Sequence, residues 1–278
     1  MNKPLVDSRR FTLPPDAKDY RVYSSKKDNA SSKSQYRLDG EREKDISVRP
    51  LFCEVGILTQ SKGSAYLERG RTKVLASVFG PREVSKKLDF SSTAGSLNVE
   101  YKEAPFASRS DGRGEAKERD VGLFLAQTLR STVCLHLYPK SRIDVCITVL
   151  EDDGSAIPTA ITAAALALSD ASINLFDLVI GASVKLCGGK ALSYPCKAEE
   201  GIQAHGSNAE ENQGHIIIGY QPSLEQIAAL LQDGVLESSA LSSQMRSLIK
   251  AAEATLPSVQ ECLMRSLSEK LKEMNTDK

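Results

Sequence analysis

The stretch from Val149 to Ser169, VLEDDGSAIPTAITAAALALS, constrains the fold of this 278-residue chain more tightly than any other. An apolar run ends at Leu150, and two aspartates and a glycine follow at Asp152-Asp153-Gly154. Glycine after two aspartates suits a tight turn, because glycine reaches backbone dihedrals that other residues avoid and aspartate bonds its own backbone locally. Ile157-Pro158 then opens an alanine-rich helix, where a proline is tolerated because its missing N–H would be unpaired anyway. Ala160, Ala163, Ala164, Ala165 and Ala167 let that helix lie close against a neighbour. A strand–turn–helix junction of this kind is a common anion site, since helix N-termini present free N–H groups and a partial positive charge.

Bulk properties narrow the classes. A chain of this length buries a full core as one or two domains. Lys+Arg and Asp+Glu both number 36, so the formal net charge is zero and any polyanion binding must come from a local basic patch. No apolar run reaches the roughly 18 residues of a membrane span, and the start is not leader-like, so neither a membrane span nor secretion is expected. The six cysteines, Cys53, Cys134, Cys146, Cys187, Cys196 and Cys262, include no CxxC pair and lie mostly in apolar runs. They read as small core residues of a reducing compartment rather than metal ligands. His136, His205 and His215 fit no zinc spacing. No metal and no cofactor is expected.

In chain order, residues 1–46 are polar and mixed in charge and read as a flexible arm, because such a segment buries too little apolar area to offset its ordering entropy. Residues 47–273 form the folded domain and 274–278 a tail. Residues 51–103 carry strand signals (Leu51–Leu58, Ser64–Glu68, Thr72–Phe79, and the alternation of Leu97, Val99 and Tyr101) with a polar loop at 84–95, and read as an antiparallel meander. A loop at 104–117 holds Arg109, Arg113 and Lys117 and leads into a helix from Glu118 to about His136. Arg142–Leu150 alternates as a strand and feeds the acidic turn. Asp177–Leu186, Ala191–Tyr194 and Ile216–Gly219 read as strands, with polar loop at 195–214. Pro222-Ser223-Leu224-Glu225-Gln226 resembles a capping box with Ser223 as N-cap, which predicts a helix ending near Gly234. An amphipathic helix covers about 239–273, and Pro257 should kink it. The sum is an α+β chain.

Together, Arg49-Pro50, Gly63-Ser64, Thr72-Lys73-Val74, Gly80-Pro81-Arg82-Glu83, Ala104-Pro105-Phe106 and Asp153-Gly154 before an alanine-rich helix resemble ribonuclease PH domains. That family comprises bacterial phosphorolytic exoribonucleases and the ring subunits of the exosome. The resemblance covers roughly residues 45–270 and implies the RNase PH-like fold, antiparallel and mixed β-sheets packed with α-helices. Active members cleave RNA from its 3′ end with phosphate. That chemistry needs cations and backbone donors for phosphate, and carboxylates that carry a divalent metal. Their acidic turn reads Asp-Gly-Gly-Thr-Arg, and the last three residues bind phosphate. Here Ser155, Ala156 and Ile157 stand in those places, so the guanidinium is gone. A second phosphate-binding arginine aligns with Lys117, which keeps the charge but loses the bidentate fork. Ser193 stands where the first catalytic aspartate is expected, and Glu199 or Glu200 falls near the second. Losing one such preorganised contact typically costs about 3 kcal/mol of transition-state stabilisation.

The resemblance therefore implies a non-catalytic subunit of the exosome core, supporting 3′-to-5′ RNA processing and decay. Its implied partners are other RNase PH-like subunits in a hetero-hexameric ring, caps with OB-fold and KH domains, and single-stranded RNA. Its implied sites of action are the nucleus, nucleolus and cytoplasm. Arg82, Arg109, Arg113, Lys117 and Arg119 are candidate contacts to RNA phosphates; a solvated loop with ordinary surface charge explains the same residues. The competing functions are an active phosphate-dependent 3′-to-5′ exoribonuclease and a free RNA-binding module.

Overall fold

The computed structural model describes residues 48–83, 93–107, 115–187, 190–201 and 213–276. The polar arm read at 1–46 lies outside these residues. Among the described residues the strands and α-helices run in the order β1 (Leu51–Val55), β2 (Gly63–Arg69), β3 (Thr72–Glu83), β4 (Ser96–Glu103), α1 (Glu115–Arg130), β5 (Ser141–Glu151), α2 (Ala156–Asp170), β6 (Ile180–Cys187), β7 (Lys190–Ser193), α3 (Lys197–Glu200), β8 (Gln213–Gln221), β9 (Gln226–Val235) and α4 (Ser238–Thr276). A single 3-10 turn at Leu135–Leu137 separates α1 from β5, so the first long helix stops at Arg130 rather than near His136. The fold is α+β.

Two sheets result, ordered β1-β2-β3-β5-β4 and β7-β6-β8-β9. The meander read over 51–103 holds only through β3. β5 inserts beside β3, antiparallel, and β4 pairs with β5 in parallel, Val99 opposite Val145 and Tyr101 opposite Ile147. Strand period shows that β4 is a strand but not which neighbour it finds, because that pairing closes through α1, a crossover of the length parallel strands require.

α2 is the shared core element. It packs against β2 and β3 of the first sheet and β6 of the second, and every residue from Pro158 to Leu168 is buried. A helix apolar on all sides fits only such an interior position. Glycines set its closeness at both ends. A Cβ on Gly181 would fall 2.0 Å from the Pro158 carbonyl oxygen, and one on Gly63 would fall 2.3 Å from the Ala171 nitrogen. Side chains fasten the same ends: Gly181 N–H donates to Thr162 Oγ1 at 3.0 Å, and Ser64 N–H donates to Asp170 Oδ2 at 3.0 Å. α4 covers the outside against β1 and β6, through Leu248, Ala251 and Ala252, and continues through Pro257 as one helix. Among the described residues no helix is long and apolar enough to cross a membrane.

The helix read at 223–234 is instead a hairpin turn and strand. Ser223 does not cap a helix; its N–H and hydroxyl both donate to the Asp177 carboxylate, at 2.7 and 2.9 Å. Glu225 takes a left-handed conformation, φ 53°, and β9 then pairs with β8 in antiparallel register, Ile218 opposite Leu230 and Gly214 opposite Gly234. The Ala-Leu run suits a helix locally, but the unpaired outer edge of the buried strand β8 outweighs that preference.

Candidate active site

The acidic turn sits where sequence placed it, between β5 and α2, and its groups are paired from several directions. Asp152 Oδ1 accepts the Gly154 N–H at 2.9 Å, an Asx turn. Thr72 Oγ1 donates to the Gly154 carbonyl at 2.7 Å. Arg49, only 4% exposed, donates to the Asp153 carbonyl at 3.1 Å and to its carboxylate at 3.3 Å. Burial pushes the Asp153 carboxyl up, with Arg49 and Arg71 pulling the other way. Gly154 holds φ +90°, and a Cβ there would meet the Pro195 carbonyl at 2.5 Å. Asp153 is therefore a structural residue, locking the turn to β3 and to the segment before α3.

On the other side of the turn a cavity of about 460 Å³ opens between β4, α1, α2, α3, β8 and β9. Ser155, Ala156 and Ile157, read from the sequence as degenerate phosphate positions, all line it. Lys117 lines it from α1, while Arg119, pointed elsewhere, borders the separate groove between α1 and β4. Arg119 is ion-paired with Glu115 one turn back, at 3.7 Å. Arg82 is exposed at the far end of β3, opposite Arg142 on β5, with its guanidinium over the Phe79 ring. Arg109 and Arg113 lie outside the described residues. Of the candidate RNA-contacting residues that are described, Lys117 alone reaches the cavity.

The chemistry of the first turn of α2 is already in use. Ser155, N-cap with a left-handed φ of 55°, gives its N–H to Glu200 Oε1 at 2.8 Å and its hydroxyl to the Pro195 carbonyl at 2.9 Å. Lys197 ion-pairs with Asp152. Burial works against the Lys197 ammonium, but the Asp152 carboxylate outweighs it and the net shift is upward. Burial raises the Glu200 carboxyl, and the Ser155 N–H opposes that rise. Glu199, the alternative to Glu200, is buried inside α3, where its carboxylate accepts the Cys196 N–H at 2.9 Å. Ser193, at the first aspartate position, is buried. Among the described residues no three His, Cys, Asp or Glu side chains stand together to hold a metal.

Several lining residues were not legible beforehand: Lys197, Asp233 and His215. His215 directly precedes the isoleucine run Ile216-Ile217-Ile218 of β8, and a histidine at the start of so apolar a strand was the available signal. It lies opposite Lys185 on β6 and Asp233 on β9. Burial, reinforced by Lys185, lowers its imidazole to about 4 despite Asp233, so it is neutral near pH 7. The cavity carries five carboxylates (Glu103, Asp120, Asp152, Glu200, Asp233) against two lysines, Lys117 and Lys197. A phosphate entering it meets net negative charge.

Residues 47–174 match the 3′ exoribonuclease family, domain 1, the RNase_PH model. Exosome complex component MTR3 of Homo sapiens is 33% identical over 279 residues, which span 94% of this chain and 95% of that protein. The chain belongs to the RNase PH family. Another relative is exosome complex component Rrp41 of Pyrobaculum neutrophilum, 32% identical over 230 residues, covering 82% of this chain and 89% of that one. Among solved structures, Oryza sativa Rrp46 superposes with a TM-score of 0.67 at 25% identity, over 81% of this chain and 98% of that one.

Proposed function

We propose that this chain is a non-catalytic structural subunit of an exosome core ring, supporting 3′-to-5′ RNA processing and degradation. The observation that carries this reading is the charge of the cavity at the start of α2. Five carboxylates line it against two lysines, and once Asp152 is paired with Lys197 four carboxylates face Lys117 alone; Ile157, where the resemblance would put a phosphate-binding arginine, adds no charge. Phosphorolysis requires that place to hold phosphate and stabilise its developing charge, and this lining opposes both. The similarity to MTR3 along nearly the whole chain supports assembly as the remaining role.

Under this reading the partners are other RNase PH-like subunits of a hetero-hexameric ring and OB-fold or KH cap proteins. Single-stranded RNA is contacted at phosphates, without sequence reading, by the exposed Arg82 and by Arg109 and Arg113; Lys117, which faces the carboxylate-lined cavity, and Arg119, which is paired with Glu115, are the weaker candidates. The chain works in the nucleus, nucleolus and cytoplasm. The test is isolation of the tagged full chain at native abundance, with mass spectrometry of stoichiometric co-eluting proteins. Recovery of other RNase PH-like chains is expected. A monomeric peak free of them defeats the proposal.

A further inference from the structure

The N–H of Ser155, just ahead of α2, is already bonded to a carboxyl side chain. Glu200 Oε1 accepts the Ser155 N–H at 2.8 Å, in the position where a ligand oxygen would meet the partial positive charge of the helix start. Glu200 is held there from behind. The α3 turn that carries it begins with the Cys196 N–H bonded to Glu199 Oε2 at 2.9 Å, and Lys185 Nζ donates to the Glu200 main-chain carbonyl at 2.6 Å. The Ser155 hydroxyl is also engaged, donating to the Pro195 carbonyl and accepting from Ser183 Oγ at 3.2 Å. A carboxylate so seated offers the charge and oxygen acceptor that one edge of a phosphate would offer. It also faces the open cavity that a phosphate would have to enter.

We propose that Glu200 is a resident anion that occupies this site and excludes phosphate from it. The inference rests on the reading that the site does no chemistry, and adds that one side chain keeps the ligand out. If Glu200 served only to fasten α3 to α2, its removal would lower stability and do nothing else. As a resident anion, its removal also uncovers a donor and withdraws a negative charge, so inorganic phosphate gains affinity.

The experiment titrates inorganic phosphate into the full chain at constant ionic strength, by isothermal calorimetry and by 31P line width. Wild type, Glu200→Ala, Glu200→Gln and Asp233→Asn are compared, each first checked for fold by circular dichroism. Glu200→Ala is expected to bind phosphate about two- to fivefold more tightly than wild type, the scale of one helix-terminus charge contact. Glu200→Gln, which keeps an oxygen acceptor for Ser155 but no charge, should gain less. It is also the folded comparator if the alanine variant fails to fold. Asp233→Asn, which removes a cavity carboxylate away from the helix start, should gain little. The proposal is overturned if neither Glu200 variant binds phosphate better than wild type, or if Asp233→Asn gains as much as Glu200→Ala. Phosphate-dependent RNA cleavage by wild type would instead overturn the non-catalytic reading, so the two failures are separable.

Discussion

The start of α2 and the strand β9 border the same cavity and are built in opposite ways. At the start of α2, polar groups are answered within the chain: Asp152 by Lys197 and Gly154, Asp153 by Arg49, Ser155 by Glu200 and Pro195. β9 is the outer strand of its sheet, and eight of its ten residues are exposed. Ile227, Leu230, Leu231 and Val235 show between 37% and 67% of their surface, and Asp233 is the one charge in the strand. The edge strand β4 of the other sheet carries Glu100, Lys102 and Glu103 instead. Charged side chains are the usual protection of a free edge. The start of α2 has its polar groups paired within the chain, while the sheet edge beside it is left apolar and exposed.

The comparison can be broken most forcefully at the closed end. Gly181→Val places a side chain against the Pro158 carbonyl, where even a Cβ would sit 2.0 Å away. α2 must then lift from β6, and a loss of about 4 kcal/mol or more is expected in urea unfolding. A soluble variant with wild-type stability would show that α2 is not held by close packing.

His215 tests the same wall through pH. Its folded pKa, about 4, lies below the ordinary value of 6.5. The unfolded chain therefore takes up the proton first as pH falls, and stability is lost between pH 6.5 and pH 4. The loss from this residue is about 3 kcal/mol, following about 1.4 kcal/mol per pH unit. Urea midpoints across that range should fall steeply for wild type, and less for His215→Gln. Parallel curves would mean that another group controls the acid limb.

Arg49→Ala leaves the half-buried Asp153 carboxylate without its guanidinium. Charge-assisted hydrogen bonds of this kind contribute about 2 kcal/mol, and the loss should appear in the urea midpoint at pH 7. At the open end the effect on stability is smallest. Leu230→Lys on β9 should change the unfolding free energy by less than about 0.5 kcal/mol, yet reduce self-association of the isolated chain in concentrated solution by light scattering. A large loss of stability there would show that β9 is a buried strand after all.

Legibility in the sequence followed the range of the interactions. The acidic turn, the buried alanine helix, and β1 to β3 with their turns were readable because period, turn chemistry and helix-start signals are local. The parallel β4–β5 pairing was not, since nothing in Leu97-Asn98-Val99-Glu100-Tyr101 names its neighbour. β9 was misread because Ser223 and Gln226 imitate a capping box, while the partner that decides against it, Asp177, lies 46 residues away. In the site, Ser155, Ala156 and Ile157 follow directly from the turn. Glu200 could not be told from Glu199 until the turn of α3 placed one inside and the other on the Ser155 N–H. Lys197, His215 and Asp233 join them only through the folded sheet.

The most direct measurement is phosphorolysis by the purified full chain: a 3′-labelled single-stranded RNA, inorganic phosphate and magnesium, with released nucleoside diphosphates followed by chromatography. The expected result is no phosphate-dependent release above the protein-free control at any chain concentration. Release that needs phosphate, rises in proportion to the chain and disappears when Lys117 and Lys197 are both changed to Ala would contradict the non-catalytic reading, because it would show that this carboxylate-lined cavity still holds and activates phosphate.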